Sequence, residues 1–285
     1  MKYRIFLLFF TLLMLSSCED YDNREKSELV VEGWIEDGGF PVVILTQSIP
    51  VSHSYVSPDS LSNYLIRWAK VTINDGTDSV ILTGKYDSGY FPPYVYTTSR
   101  MRGEAGKNYQ LTVEYEDYYA TATTWIPPKP PETQFRVAPC NDSDTLYKII
   151  AQFKDNPYEK NYYQFFTRVG TEKKQFLASY LGSIDDAVLG EYSEVLVYRG
   201  HQLKSHDYTP YFYENDSVVV KFAQIDEESY RFWDNYTKVL SLSGNMFLST
   251  YMNVSSNIKG GFGYWCGYGV TTKHIVIADS VMQYK

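Results

Sequence analysis

The stretch SNIKGGFGYWCGYG, at residues 256–269, interleaves five glycines with aromatic side chains near the end of the chain. Glycine has no β-carbon, so the backbone there can bend sharply or another backbone can approach it closely. The aromatic rings between the glycines can pack over the bare positions. The stretch therefore predicts a bend or a close contact between two elements of the fold.

Upstream, the chain has the short alternating segments of a β protein. Residues 29–35, 41–46 and 69–73 read as strands, and NDG at residues 74–76 is typical of a tight turn into a strand at 79–82. The acids of this turn lack the ligand spacing of a calcium loop. We therefore interpret them as turn residues.

Residues 106–113 alternate between polar and apolar side chains, with Tyr109 on the apolar face. A Tyr at the start of such a strand is similar to the tyrosine corner of immunoglobulin-like sandwiches, whose hydroxyl holds the neighbouring connection. A partner strand follows at residues 118–125 and brings the count to about seven, as such a sandwich requires. We predict an immunoglobulin-like β-sandwich over residues 28–126.

Prolines mark the end of this region. The run IPPKPP at residues 126–131 removes backbone donors and forces extended geometry, which favours a linker at 127–133. The remainder, residues 134–285, again has strand patterns and predicts a second β-rich domain. The predicted fold class is therefore mainly β, in two domains.

One segment of the second region has helical spacing. Asp226 is a good N-cap, and acidic residues follow it in the first turn, where the helix dipole favours them. Aromatic and aliphatic residues then recur on one face. We predict one amphipathic helix at residues 226–241, packed on a sheet.

The first residues of the chain have the pattern of an export signal. Lys2 and Arg4 precede an apolar run that is too short to span a bilayer permanently. LSSC at residues 15–18 resembles the bacterial lipobox, which predicts a signal peptide at 1–17 and lipid attached to Cys18. Stable anchoring by acyl chains then holds the protein at a membrane.

Acidic residues follow Cys18 within the predicted linker at residues 18–27. They resemble the surface-export signal of Bacteroidetes lipoproteins, although a solvated acidic linker is the alternative interpretation. The whole chain is acidic as well, with a formal net charge of -8. Since nucleic-acid affinity comes mostly from Lys and Arg, we expect no nucleic-acid partner.

Catalytic and metal-binding patterns are missing from the sequence. His201 and His206 are five residues apart, which does not place both on one helix face. There is no G-x-S-x-G elbow, and the glycines of residues 260–263 are not followed by the Lys-Ser or Lys-Thr of a phosphate-binding loop. We expect no enzyme activity, no metal and no cofactor.

Two cysteines and a group of aromatic residues remain. Cys140 and Cys266 could form a disulfide in an exported protein, or stay as two free thiols. The 28 tyrosines suit sheet faces or a recognition surface. Tyr211, Tyr213 and Trp265 are the candidate binding residues, although the run around Tyr211 also fits an edge strand that packs its own faces.

Residues 256–269 resemble the SNI-x-GG-x-G-x-F segment of the DUF4249 family of Bacteroidetes lipoproteins. Further matches occur in the same order, from the lipobox and residues 29–35 through 155–163 to the helix, and cover nearly the whole chain. The resemblance implies a β-rich outer-membrane lipoprotein that is often found with TonB-dependent transporters. It implies no catalytic residues.

Three function classes follow from these observations. The first is a surface-exposed outer-membrane lipoprotein that assists a TonB-dependent transporter in nutrient capture or uptake, which the family resemblance favours. The second is a stand-alone glycan- or peptide-binding lipoprotein, and the third is a structural interaction protein of the envelope. A binder should have aromatic side chains around a concave site, whereas an accessory subunit should have a flatter apolar patch.

Overall fold

The computed structural model describes residues 27–48, 62–140, 143–190, 192–200, 208–242 and 254–278. The protein is mainly β, with 55% strand and 9% helix. The predicted signal peptide and Cys18 lie outside the described residues. Within the described ranges, none of the helices has both the length and the apolar character needed to span a membrane.

The predicted strands of the first region are present. In chain order they are β1 (Leu29–Glu36), β2 (Val42–Gln47), β3 (Lys70–Asn74), β4 (Ser79–Ile81), β5 (Thr83–Tyr86), β6 (Tyr94–Thr97), β7 (Asn108–Tyr115) and β8 (Tyr118–Trp125).

The second region adds a further set of strands and the helix. They are β9 (Thr133–Cys140), β10 (Ser143–Phe153), β11 (Tyr162–Val169), β12 (Leu177–Asp185), β13 (Ser193–Val197), β14 (Phe212–Tyr213), β15 (Ser217–Ile225), α1 (Glu227–Leu242) and β16 (Phe262–Val276), with a short 3-10 helix at Asp186–Val188.

The strands form one large sheet and two small ones. The large sheet, which we call the main sheet, has eight strands in the order β12-β11-β15-β16-β1-β2-β6-β5. One four-stranded sheet has the order β4-β3-β7-β8, and the other joins β13, β10 and β14 with β9 paired to β10. The main sheet thus contains strands from both regions of the chain.

The first and last strands meet at the centre of the main sheet. β1 pairs with β16 in parallel, and the register runs from Val30 opposite Phe262 to Glu36 opposite Tyr268. On the other sides, β2 pairs with β1 and β15 pairs with β16, both antiparallel. This parallel pair joins the two regions.

Alternation along these strands gives the main sheet two different faces. The core face is covered by both small sheets: Val31, Ile35 and Trp265 pack in one apolar cluster with residues of β3, β7 and β8. Val220 and Phe222 of β15 pack in a second cluster with residues of β10. Each half of the core face is therefore one layer of a β-sandwich.

The opposite face, which we call the helix face, is partly covered by α1. Trp233 of the helix packs with Tyr264, Cys266 and Tyr268 of β16 in a third apolar cluster. Asp226 caps the helix, since its Oδ1 accepts a hydrogen bond from the Ser229 amide at 2.8 Å. The amphipathic helix predicted from the sequence is confirmed, shifted by one residue at each end.

The continuous main sheet changes the interpretation of the proline run. Residues 127–132 do lie between the two strand sets, and Thr133 begins β9, but Pro127 and Pro130 are buried. The carbonyl of Pro128 lies so close to Gly269 of β16 that a β-carbon there would be 2.1 Å from it. The segment therefore packs against β16 and does not separate two independent domains, because β16 belongs to both halves of the sheet.

Two local predictions in the sandwich are confirmed. The Tyr109 hydroxyl accepts a hydrogen bond from the Glu104 amide at 2.9 Å and donates one to the Arg102 carbonyl at 3.3 Å, as a tyrosine corner does. In the 74–76 turn, Asp75 Oδ1 accepts from the amides of Thr77 and Asp78 at 2.9 and 2.7 Å. These backbone hydrogen bonds lower the pKa of the Asp75 carboxyl.

The glycine-rich stretch forms close contacts, as predicted. A β-carbon at Gly263 would lie 1.9 Å from the Val31 carbonyl, and one at Gly267 would lie 2.3 Å from that of Trp125. Between them, Trp265 packs over Gly33 of β1 and donates its ring N–H to the Tyr109 carbonyl at 2.9 Å. Trp265 is fully buried, so its prediction as a binding residue is wrong and it is a core residue.

Replacement of Trp265 by Ala should lower the free energy of unfolding by about 3–5 kcal/mol, which is the usual effect of truncating a buried large aromatic side chain to Ala. Urea titration of the purified protein measures the change. Trp68, whose side chain is 88% exposed, offers the matched control, and Trp68→Ala should leave the curve nearly unchanged. Equal curves for the two variants would contradict this account of the core.

Candidate functional site

A cleft of about 620 Å³ lies on the helix face of the main sheet. Strands β1, β2, β6, β11, β15 and β16 supply its floor, and α1 closes one side. Its rim comes from two loops, the β5–β6 loop (residues 87–93) and the β11–β12 loop (residues 170–176). The volume is in the range of small-molecule sites in proteins, about 300–1,000 Å³.

The two rim loops hold each other. The Lys174 amide donates to the Gly89 carbonyl at 2.9 Å, and the Phe91 amide donates to Gln175 Oε1 at 2.8 Å. Lys174 Nζ also lies 2.9 Å from Asp87 Oδ2, and this hydrogen bond lowers the pKa of the Asp87 carboxyl. β5 and β12 are the edge strands at opposite ends of the main sheet. Since the loops next to these two strands contact each other, the sheet must curve so that its ends meet over the cleft.

β1 contributes three cleft residues through its alternation. Val31, Gly33 and Ile35 face the core, so Glu32, Trp34 and Glu36 face the cleft. The two carboxyl groups lie in different surroundings. Glu32 Oε1 accepts hydrogen bonds from the Tyr264 hydroxyl at 3.0 Å and from Gln175 Nε2 at 3.2 Å. Burial raises the pKa of Glu32, and these two hydrogen bonds oppose the rise only in part.

Glu36 forms a buried ion pair with Lys221 of β15. The Lys221 side chain is 7% exposed, and burial lowers the pKa of its ammonium group while Glu36 acts in the opposite direction. Lys221 Nζ also lies 3.9 Å from the centroid of the Phe176 ring. Arg168 of β11 contacts the same ring, with Cζ 4.7 Å from the centroid. Two cations therefore meet one aromatic ring inside the cleft.

Aromatic side chains form much of the remaining wall. The rings of Trp233 and Tyr264 have centroids 5.1 Å apart, and Trp233 donates its ring N–H to the Tyr268 hydroxyl at 3.2 Å. On the other side Trp34 and Tyr90 pack at 6.2 Å. These contacts fix the ring positions in advance, so the wall does not have to be ordered when a ligand enters.

The cleft differs in charge from the protein as a whole. Its lining contains three acidic and five basic residues, although the chain has a formal net charge of -8. The acidic residues are Glu32, Glu36 and Asp87, and the basic residues are Lys85, Arg168, Lys173, Lys174 and Lys221. The positive excess favours ligands with negative charge. No group of three or more metal-ligand side chains occurs in the described ranges.

The aromatic residues proposed from the sequence lie elsewhere. Tyr213 is 49% exposed in the short strand β14, which pairs with β10 at the edge of a small sheet. Phe212 between the two tyrosines is fully buried, and the Tyr211 ring packs 6.2 Å from Tyr198. The edge-strand interpretation of this run therefore describes the structure, and neither Tyr211 nor Tyr213 lines the cleft.

Of the two alternatives for Cys140 and Cys266, a disulfide or two thiols, the structure has the thiols. Cys140 ends β9 in a small sheet, whereas Cys266 lies within β16 in the main sheet. Cys266 packs on the helix face, where burial raises the pKa of its thiol to about 12. Its role is packing. His201 and His206 lie outside the described residues.

Sequence reasoning missed the cleft residues, although two signals were present. Glu32 and Glu36 share a strand face with Trp34, and a polar face of this kind is easily read as solvent-exposed. Lys221 interrupts the apolar run of β15, where a charge requires a partner. Neither signal identifies the strand that supplies the partner side chain, because Glu36 and Lys221 are far apart in the sequence.

The fold and the cleft define a class: a mainly β protein in which one large sheet has a packed core on one face and a helix-covered, aromatic cleft on the other. The chain belongs to the family described as Domain of unknown function (DUF4249), which it matches over residues 18–274. The family resemblance drawn from the sequence is thereby confirmed. A comparison with curated proteins finds no match.

Replacement of Glu32 by Gln should change how stability depends on pH. A raised pKa in the folded state means that the stability contribution of Glu32 is fully present below its ordinary pKa of 4.5 and is lost as pH rises through the raised value. Gln cannot ionise, so the stability of Glu32→Gln relative to the original protein should increase as pH rises above 4.5.

Urea titrations at a series of pH values measure this difference. The control is Glu132→Gln, because Glu132 is exposed outside the cleft, and its curve should run parallel to that of the original protein. A constant difference between Glu32→Gln and the original protein across the series would contradict the burial of Glu32 in an apolar site.

Proposed function

We propose that this protein is a lipid-anchored envelope protein that binds a small ligand in the cleft, without catalysis, and takes part in nutrient capture. The observation that carries the proposal is the cleft of about 620 Å³ lined by fixed aromatic rings and a few charged groups. Such a lining is typical of small-molecule sites, in which rings supply contact area and polar groups set orientation.

The pairing of the charged groups supports binding over chemistry. Glu36 is engaged by Lys221, Asp87 by Lys174, and Glu32 by Tyr264. A catalytic nucleophile needs an adjacent base that can take its proton. Here the carboxyl groups are instead held by neighbours that fix their positions, which suits a preformed recognition surface.

We assign the protein to the outer membrane, on the cell surface, with Cys18 as the lipid-bearing residue. The lipobox-like residues 15–18 and the acids after them support this assignment. The partner we propose is a TonB-dependent transporter, and its support is the association implied by the family resemblance. The protein would capture a nutrient and pass it to the transporter.

A stand-alone binding lipoprotein is the second candidate, and the cleft favours it equally, because a concave site needs no partner to hold a ligand. The two candidates differ only in what lies next to the protein in the membrane. A purely structural interaction protein of the envelope is less well supported, since such a role does not require a concave site lined by aromatic side chains.

Replacement of Cys18 by Ala should move the protein from the membrane fraction to the soluble fraction, because the acyl chains that hold it are lost. Cys140→Ala is the matched control and should stay in the membrane. Affinity purification of tagged, lipidated protein from gently solubilised membranes should recover a TonB-dependent transporter. Membrane retention of Cys18→Ala would contradict the anchor, and repeated recovery of the protein alone would favour the stand-alone binder.

Native mass spectrometry of the lipidated protein, released from its membrane, should detect a bound small molecule. Thr97 lines the cleft at the end of β6, so Thr97→Trp should fill part of the volume and remove the molecule. Ser99→Trp, two residues away on an exposed position, should retain it. Two results would argue against a ligand in the cleft. One is a molecule that both variants bind equally, and the other is the absence of a bound molecule in the original protein and in both variants.

A further inference from the structure

Among the charged residues that line the cleft, Arg168 has a buried side-chain donor without a hydrogen-bond partner in the described ranges. Its Nε is buried and has no hydrogen-bond partner in the described part of the chain. Its positive charge contacts the Phe176 ring, with Cζ 4.7 Å from the centroid, and pairs with no carboxylate of the described residues. A buried guanidinium donor without an acceptor is costly, and an anionic ligand would supply the acceptor.

The other deep cation of the cleft is already engaged. Lys221 pairs with Glu36, and Lys174 at the rim pairs with Asp87. Lys85 and Lys173, which also line the cleft, are exposed. Arg168 is therefore the one partly buried cation of the lining that remains for a ligand, which matches a single negative charge.

The acidic residues of the lining do not cancel this charge. Glu36 and Asp87 are each neutralised by a lysine. Glu32 lies against Tyr264 and Gln175, and burial raises the pKa of its carboxyl, so the group is displaced toward its neutral form. The field inside the cleft is thus positive near Arg168.

One flat ring contacts this charge, and further rings lie in the same wall of the cleft. Phe176 contacts both Arg168 and Lys221, and Phe166 beside Arg168 on β11 packs 5.3 Å from Trp233. Rings in such a wall prefer stacked or edge-to-face partners. A planar apolar body would fit between them, and a guanidinium at one end would orient it.

We propose that the ligand of the cleft is a monocarboxylate with a flat, apolar ring body, and that Arg168 is the residue that binds its carboxylate. The planar fork of donors on Arg matches the two oxygens of a carboxylate. This inference rests on the proposed function, since it specifies the class of ligand for the same cleft.

The test compares two probes of equal shape, indole-3-acetate and indole-3-acetamide, which differ by one negative charge. Calorimetric titration of the full-length lipidated protein in nanodiscs, against empty nanodiscs, measures both affinities. The acetate should bind at least about tenfold more tightly than the amide, because a charge-assisted hydrogen bond is lost with the charge. Arg168→Met should abolish this preference, so that the two probes bind with equal affinity.

Arg136→Met is the matched control, because Arg136 is a half-exposed strand arginine outside the cleft, and it should retain the preference. Equal binding of the two probes, or a preference that survives Arg168→Met, would overturn the inference while leaving cleft binding intact. So would failure of both probes at millimolar concentration. The mass-spectrometry experiment separates these results from a failure of the proposed function. If it detects a bound molecule that Thr97→Trp removes, the cleft binds a ligand, and only the inference that this ligand is a carboxylate is wrong.

Discussion

Strands β1 and β16 lie side by side in parallel at the centre of the main sheet, although they are the first and last strands of the described chain. Parallel strands cannot be joined by a short turn, so everything between them forms the connection. The pairing places strands of both halves in one sheet. The proline run is packed in the same place, because the carbonyls of Pro127 and Pro128 lie against Gly269 of β16.

The glycines of β16 make this arrangement sterically feasible. Val31 and Trp125 bring their backbone carbonyls so close to Gly263 and Gly267 that no β-carbon would fit. Trp265 between them fills the space above Gly33 and reaches the backbone of β7. Trp265 thus joins the main sheet to the sandwich layer beneath it by a hydrogen bond as well as by apolar packing.

The same register creates the cleft on the opposite face. Glu32 is opposite Tyr264 and Glu36 is opposite Tyr268, so the carboxyl groups of one strand meet the aromatic residues of the other. Lys221 joins them from β15, the next strand in the sheet. A buried ion pair contributes little stability compared with a well-packed apolar pair of similar size. At the cleft floor the pair fixes the positions of Glu36 and Lys221.

Sequence alone determined the local structure and the family. Alternation predicted the strands of the sandwich. Tyr109 predicted the tyrosine corner, Asp75 the turn at 74–76 and Asp226 the start of the helix. Each of these features depends on neighbours within a few residues. The resemblance carried by residues 256–269 gave the family, which is now shown over residues 18–274. Tertiary structure alone decided the rest. It joined β1 to β16, buried Trp265, separated Cys140 from Cys266, and brought Glu36, Arg168 and Lys221 to one cleft. The physical reason is that strand pairing is set by long-range packing and register, and a local pattern of alternation specifies which face a residue occupies but not which strand it meets.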